Sequence, residues 1–132
     1  DAVYEQELRD ILGWREKGHD RLDFVLLGMG SDGHTASLFP RSPALMARDR
    51  LVVKNAGPNV TPPDRLTMTF ELLNASRFIG VMVTGEKKKA TVQRVVNAAA
   101  SAGPGGVADL PILGVRPLGG ELRWFLDAAA CP

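Results

Sequence analysis

The run of four apolar residues from Phe24 to Leu27 stops abruptly at a polar turn, and this break constrains the fold more than any other feature of the sequence. The turn contains Gly28, Gly30, Asp32, Gly33 and His34. A short buried strand that runs into a glycine-rich turn fits this pattern. Because glycine accepts positive φ and allows a ligand close to the main chain, such a turn can hold backbone N–H groups and an imidazole beside a bound anion. We therefore expect the active site in this turn.

The three glycines formally match the G-x-G-x-x-G pattern of dinucleotide-binding domains, and Asp49 lies near the position of the acidic residue that accompanies that pattern. However, the pattern needs a long helix that starts at the third glycine, and Pro40 follows Gly33 within seven residues. Asp49 also precedes the next apolar run, Leu51 to Val53, instead of ending it. The context therefore disfavours a nicotinamide-binding domain.

The rest of the chain alternates between strand-like and helix-like segments. Strand patterns cover Leu51–Val53, Arg65–Phe70, Phe78–Val83, Ile112–Val115 and Leu122–Phe125, and helical patterns cover Ala2–Leu12, Ala44–Ala47, Glu71–Ser76 and Glu86–Ala100. The segment Phe78–Val83 is apolar throughout, which is typical of a parallel strand covered by helices on both faces. This alternation predicts a single α/β domain over residues 1–132, built on a parallel sheet with helices on both sides.

Three segments carry more local expectations. Asn55 to Asp64 contains three prolines and a glycine, which predicts a loop without regular structure. Arg65–Phe70 alternates strictly, so the two threonines Thr67 and Thr69 are expected on the polar face of a strand. Gly103 to Gly106 predicts a hinge before the last strands.

The composition indicates a soluble globular domain without a general attraction to nucleic acid or membranes, because 16 basic residues face 15 acidic ones. The sequence lacks both an apolar run long enough to span a membrane and a secretory signal, so we expect a cytoplasmic protein. The single cysteine, Cys131, excludes an internal disulfide and a cysteine zinc cluster. That cysteine usage is compatible with a reducing compartment.

Asp32 and His34 are the candidate acid–base pair. A neutral imidazole can take a proton from water near pH 7, and a nearby carboxylate can orient the ring and stabilise the imidazolium. Their spacing of two residues allows contact in an irregular turn. The same sequence is also compatible with a turn in which the aspartate is a cap and the histidine lies on the surface. The other histidine, His19, lies in the polar link from Trp14 to Arg21, where we expect a solvated side chain.

The segments LLGMGSDGHTASLFP, RLTMTFELLNASRFIGVMVTGEKKKATV and LRWFLDAAA follow one another in this order and cover nearly all of the chain. Together they resemble the successive signatures of the 6-phosphogluconolactonases, which share a superfamily with glucosamine-6-phosphate isomerase/deaminase. The resemblance implies hydrolysis of 6-phosphoglucono-δ-lactone to 6-phosphogluconate in the pentose phosphate pathway, without a metal or a cofactor.

The resemblance also implies roles for residues of the glycine turn. His34 would be the general base that activates a water molecule to attack the lactone carbonyl, and it would then help to protonate the leaving ring oxygen. Asp32 would orient the ring of His34. Backbone N–H groups of Gly28, Gly30 and Gly33 would stabilise the oxyanion or hold the sugar.

Two basic residues are implied as phosphate ligands. Lys88 matches the G-x-x-K position of the family and would bind the 6-phosphate together with the helix N-terminus. For Arg65, a phosphate contact and a structural ion pair remain equally good alternatives. Ser37 lacks the G-x-S-x-G surroundings of a serine nucleophile, so Thr35 and Ser37 are expected to be turn and packing residues.

Phe39 distinguishes between the two branches of the superfamily. The isomerase branch carries a glutamate before the proline that closes this motif, and a phenylalanine cannot carry a proton. The sequence therefore favours a hydrolase, with an isomerase/deaminase-like enzyme as one alternative and a non-catalytic sugar-phosphate-binding module as another.

The resemblance implies a parallel-sheet, Rossmann-like three-layer α/β/α fold, of which this chain represents only the C-terminal part. Family members are roughly twice this length, and their first half resembles a strand followed by a glycine-serine-threonine-proline phosphate loop that this sequence does not contain. We therefore expect the missing N-terminal half or a second chain as a partner. We also expect the 132 residues alone to have little or no lactonase activity.

Overall fold

The computed structural model describes residues 2–14, 20–57, 60–101 and 106–132. The helices are α1 (Ala2–Leu12), α2 (Phe70–Asn74) and α3 (Lys89–Ala100), and the strands are β1 (Phe24–Leu27), β2 (Val52–Ala56), β3 (Asp64–Met68), β4 (Phe78–Val83) and β5 (Glu121–Leu126). Short 3₁₀ turns cover Pro43–Met46, Glu86–Lys88 and Pro111–Gly114. His19 and Gly103 lie outside the described residues, so the expectations for them stay predictions.

The main sheet has three parallel strands in the order β1-β4-β5. Because the strands are parallel, their carboxyl ends share one edge, and Gly28, Thr84 and Asp127 follow there directly. Ligands of open α/β sheets bind at this edge, where the loops after the strands meet. The parallel sheet and its helices confirm the predicted α/β class and place the glycine turn at the ligand-binding edge.

One face of this sheet forms the core. Leu27 on β1 is 8% exposed, Val81 on β4 is fully buried, and both pack with Leu73 of α2 and Val92 of α3. The described residues leave the opposite face largely exposed, and its most exposed apolar side chains are Phe24 (59%), Leu26 (56%), Met82 (50%) and Phe125 (44%). Complete burial, which was predicted for the segments of β1 and β4, is therefore wrong at Phe24, Leu26 and Met82 in the part of the chain that the structure describes.

Strands β2 and β3 form a separate antiparallel pair, with Asn55 opposite Arg65. The predicted loop from Asn55 to Asp64 is wrong at its ends, because the first two residues continue β2 and Asp64 begins β3. The predicted polar face is also wrong, since Thr67 is 3% exposed while Leu66 is 48% exposed. The buried hydroxyl of Thr67 accepts the Ser37 N–H at 3.0 Å, so internal hydrogen bonds replace water there.

The strand predicted at Ile112–Val115 is instead a 3₁₀ turn, Pro111–Gly114. Pro111 lacks an N–H group and has a fixed φ, which suits the first position of a helical turn. The Ile112 N–H donates to the Gly33 carbonyl at 2.9 Å, so this turn supports the glycine turn and does not extend the sheet.

Helix α1 has the predicted extent, but only some of its apolar residues are buried. Leu12 is buried, whereas Ile11 is 79% exposed. The buried side also contains Glu5, whose carboxylate accepts the N–H groups of Leu51 at 2.7 Å and Val52 at 3.1 Å and pairs with Arg50. Glu5 therefore anchors α1 to the start of β2. Among the described residues, no helix combines the length and apolar character that crossing a membrane requires.

Candidate active site

The side chains of Asp32 and His34 are in direct contact. His34 Nδ1 lies 2.6 Å from Asp32 Oδ1, and the same oxygen accepts the His34 backbone N–H at 3.0 Å. Because an ionised carboxylate can only accept hydrogen bonds, Nδ1 carries the hydrogen and Nε2 is left as the proton acceptor of the ring. The contact that the two-residue spacing allowed is therefore present in the structure.

The pKa of Asp32 shows that this carboxylate is held in its ionised form. Burial alone would raise the pKa of Asp32, but hydrogen bonds from the His34 backbone and ring, together with the charge of the imidazolium, outweigh it. The net pKa lies below the ordinary value, so Asp32 keeps its charge at neutral pH and holds the Nδ1–H of His34.

Each of the three glycines of the turn has a different structural role. A Cβ atom on Gly30 would lie 2.3 Å from the ring of His34 and 2.8 Å from Asp32 Oδ1, so only glycine leaves room for the pair. Gly33 has φ +87°, which favours glycine, and a Cβ there would meet Leu110 at 2.5 Å. Gly28 faces open space, with no atom within 4 Å of such a Cβ. Their predicted contacts with a substrate stay predictions.

Two further side chains of the motif support the pair. Thr35 is almost fully buried, and its hydroxyl donates to the Gly28 carbonyl at 2.8 Å, which confirms it as a turn residue. The ring of Phe39 packs beside the imidazole of His34, with the ring centroids 5.1 Å apart. Phe39 is 3% exposed, so it gives the imidazole an apolar wall where a glutamate would place a carboxylate.

Lys88 reaches the glycine turn from the end of the 3₁₀ turn that leads into α3. Its Nζ donates to the Met29 carbonyl at 2.6 Å, and Lys88 and His34 line one open cleft of about 350 Å³. Three residues along the helix, the Thr91 hydroxyl donates to the Ser31 carbonyl at 2.6 Å. The structure thus brings Lys88 to the same cleft as the His34–Asp32 pair.

Arg65 lies elsewhere. Its guanidinium donates to the carbonyls of Pro62 at 2.6 Å and Thr61 at 3.0 Å, and it lines a different cavity of about 630 Å³ beside Lys54. Although that cavity is larger, we take the cleft of His34 as the candidate site, because Lys88 and the imidazole that Asp32 orients both line it.

Sequence reasoning missed two residues at this edge. Thr91 fastens α3 to the glycine turn, and Asp127 accepts the Gly85 N–H at 3.1 Å from each of its carboxylate oxygens. The position of Asp127, immediately after an apolar strand, was a signal for a residue at the carboxyl edge. Within residues 2–14, 20–57, 60–101 and 106–132, no group of three or more His, Cys, Asp or Glu side chains could hold a metal ion.

Comparison with known proteins gives concordant matches. Residues 1–124 match the family described as glucosamine-6-phosphate isomerases/6-phosphogluconolactonase. The chain is 41% identical over 108 residues to the 6-phosphogluconolactonase of Rattus norvegicus, covering 82% of this chain and 39% of the relative. It is 39% identical over 131 residues to that of a Nostoc species, covering 98% of this chain and 50% of the relative.

Solved structures give the same result. The fold is similar to the 6-phosphogluconolactonase from Leishmania guyanensis, with a TM-score of 0.78 and 27% identity over 98% of this chain and 50% of the other. The Trypanosoma brucei structure gives a TM-score of 0.77 and 29% identity. The chain therefore spans about half, or less, of the length of the relatives it matches.

Proposed function

This chain belongs to the glucosamine-6-phosphate isomerase/6-phosphogluconolactonase family, and we propose that it supplies the acid–base part of an enzyme that hydrolyses 6-phosphoglucono-δ-lactone to 6-phosphogluconate. The proposed setting is the pentose phosphate pathway in the cytoplasm. The observation that carries the proposal is the 2.6 Å contact between His34 Nδ1 and Asp32, which makes Nε2 available as a general base.

The proposed reaction needs one proton acceptor and one proton donor. Nε2 of His34 takes a proton from water, and the resulting hydroxide attacks the lactone carbonyl carbon. The bond from that carbon to the ring oxygen then breaks, and the imidazolium returns the proton to the leaving oxygen, which becomes a hydroxyl group. Asp32 stabilises the imidazolium between the two transfers, while backbone N–H groups of the turn from Gly28 to Gly33 are the proposed donors to the oxyanion.

Lys88 is the proposed ligand of the 6-phosphate. An ammonium group has three donors, and among the described residues Lys88 uses one of them on the Met29 carbonyl, so two remain for a phosphate. The start of the helical segment at Glu86 adds favourable backbone dipoles. A phosphate contact of Arg65 stays a prediction. Its guanidinium already donates to two carbonyl oxygens.

The uncovered face of the sheet supports a polypeptide partner. Phe24 and Phe78 stack there with ring centroids 5.2 Å apart, and Leu26 and Met82 are at least half exposed. Exposed apolar patches of this kind mark interaction surfaces. Since the matched relatives are about twice as long, we infer that a polypeptide corresponding to their unmatched half covers this face.

Hydroxyl-radical oxidation of methionines tests whether a polypeptide covers this face in the protein as it occurs naturally. Met82 should be protected there, whereas Met46, which is 74% exposed on the Pro43–Met46 turn, serves as the labelled control. Protection that depends on protein concentration would indicate a second copy of this chain instead, and equal labelling of both methionines would refute a cover.

Two other functions are less well supported by the residues around His34. An isomerase or deaminase needs a further proton carrier, and Phe39 occupies that position beside His34. A non-catalytic sugar-phosphate-binding module would not need the oriented tautomer that Asp32 imposes.

Three assays of the natural protein separate these functions. We expect hydrolysis of 6-phosphoglucono-δ-lactone well above the spontaneous rate and no deamination of glucosamine 6-phosphate. Binding of 6-phosphogluconate without hydrolysis would favour the module, and deamination would favour the isomerase branch. The 132 residues alone should show little or no turnover, because the partner polypeptide would be absent.

A further inference from the structure

The carboxylate of Asp127 accepts hydrogen bonds from main-chain N–H groups. Both of its carboxylate oxygens lie 3.1 Å from the Gly85 nitrogen, and Oδ1 also accepts the Ala130 N–H at 2.9 Å. Among the residues that the structure describes, no basic side chain forms an ion pair with Asp127. The carboxylate therefore joins the turn after β4 to the segment after β5.

The turn held by Asp127 leads directly to Lys88. Gly85 has φ +94°, a conformation that side chains other than glycine rarely adopt, and its carbonyl accepts the Lys88 N–H at 3.2 Å. From this position the Lys88 ammonium donates to the Met29 carbonyl at 2.6 Å. A continuous series of hydrogen bonds thus runs from the end of β5 to the glycine turn after β1.

We propose that Asp127 is a positioning residue, which fixes the Gly85 turn and thereby directs the ammonium group of Lys88 into the cleft beside His34. This inference rests on the proposed function, since it assigns the purpose of Lys88 to phosphate binding. Asp127 is not among the residues that line the cleft of His34 and Lys88, so its removal should act on affinity for the phosphate and not on proton transfer at His34.

The test is a double-mutant cycle in the protein as it occurs naturally. Asp127→Ala should raise the KM for the lactone and the Kd for 6-phosphogluconate about tenfold, with kcat changed less than about threefold, as expected for coupled neighbours. In a Lys88→Met background, Asp127→Ala should change the Kd less than about twofold. Independent effects of the two substitutions, or a loss of kcat at unchanged KM, would overturn the proposal.

A conservative variant and a matched control complete the design. Asp127→Asn keeps one acceptor oxygen and should give an intermediate Kd. Asp23→Asn removes a carboxylate that pairs with Arg77 at the opposite end of β1, and it should behave as the wild type.

A measurement without substrate keeps this inference separate from the proposed function. Hydrogen exchange at the Gly85 amide should accelerate in Asp127→Ala, because that N–H loses its acceptor. Unchanged exchange would refute the positioning role whether or not the protein hydrolyses the lactone. If the wild type neither binds nor hydrolyses the phosphosugar, the proposed function fails, while the exchange result still decides whether Asp127 holds the turn.

Discussion

The carboxyl edge of the parallel sheet and its uncovered face differ in how far this chain completes them. At the edge, hydrogen bonds join His34 to Asp32 and Lys88 to the main chain of the glycine turn. On the face, Leu26 and Met82 remain half exposed although they belong to the same strands. Within the described residues, the chain therefore brings His34 and Asp32 together by itself, whereas it leaves one face of its sheet exposed, which we propose is covered by another polypeptide.

The difference has a simple physical origin. The contacts at the edge are hydrogen bonds between groups that the loops after parallel strands bring together, and the Asp32–His34 pair spans only two positions of the sequence. Covering a sheet face instead needs an apolar surface from elsewhere, and the described helices α2 and α3 supply it on one side only.

The largest expected effect compares two adjacent leucines of β1. Leu27→Ala should lower the free energy of unfolding of the 132-residue chain by about 2–5 kcal/mol, because Leu27 packs in the core. Leu26→Ala should cost less than about 1 kcal/mol in the same chain, since its side chain is already half in water. Urea unfolding at equal m-values measures both.

The same pair of variants also tests whether a partner polypeptide covers the exposed face of the sheet. In the natural protein, Leu26→Ala should become costlier than in the 132-residue chain, while the cost of Leu27→Ala should stay similar. Equal costs of Leu26→Ala in both settings would contradict the partner surface, and equal costs of the two variants in the 132-residue chain would contradict the described faces of the sheet.

The second effect concerns the edge. Gly30→Ala should reduce kcat about 100-fold, because its Cβ would displace the His34 ring, and small misplacements of a catalytic group have costs of this size. The matched variant is Gly28→Ala, whose Cβ meets no atom within 4 Å. The imidazole NMR resonances of His34 should shift in Gly30→Ala and stay at wild-type values in Gly28→Ala. Unshifted resonances in Gly30→Ala would disprove the close approach.

The smallest effect is a pH dependence of stability at the edge. The pKa of Asp32 is lower in the folded than in the unfolded chain, so its stabilisation is present above the unfolded value of about 3.9 and is lost as the pH falls through the folded value. Because the Asp32 side chain is 52% exposed, the contribution should be below about 1 kcal/mol. Asp32→Asn should therefore destabilise the protein at pH 5, and in urea titrations this difference should shrink as the pH falls below the unfolded pKa. A difference that grows on acidification would contradict the sign.

The sequence predicted what depends on local patterns. The strand–turn break at Phe24–Leu27, the extent of α1 and the strand–helix unit around Gly85 were predictable, because period and glycine placement decide them. The meeting of Lys88 with His34 followed only from the family resemblance, since the two are 54 positions apart.

Other features depend on tertiary contacts that no local pattern contains. A strand was predicted near the Pro111–Gly114 turn because Ile112 and Val115 are apolar. In the structure, a hydrogen bond from Ile112 to Gly33 instead holds this turn against the glycine turn. Burial of Thr67 and of Glu5 was unpredictable for a similar reason, because their partners Ser37 and Leu51 come from distant segments. Tertiary hydrogen bonds override the usual exposure of such polar residues.

The central claim, that His34 is the general base of a lactonase, is tested most directly by the kcat of His34→Ala in the natural protein. The account predicts that kcat falls about 10²- to 10⁴-fold, the usual contribution of a positioned general base, while the Kd for 6-phosphogluconate changes less than about threefold. A His34→Ala variant that hydrolyses 6-phosphoglucono-δ-lactone at the wild-type kcat would contradict it.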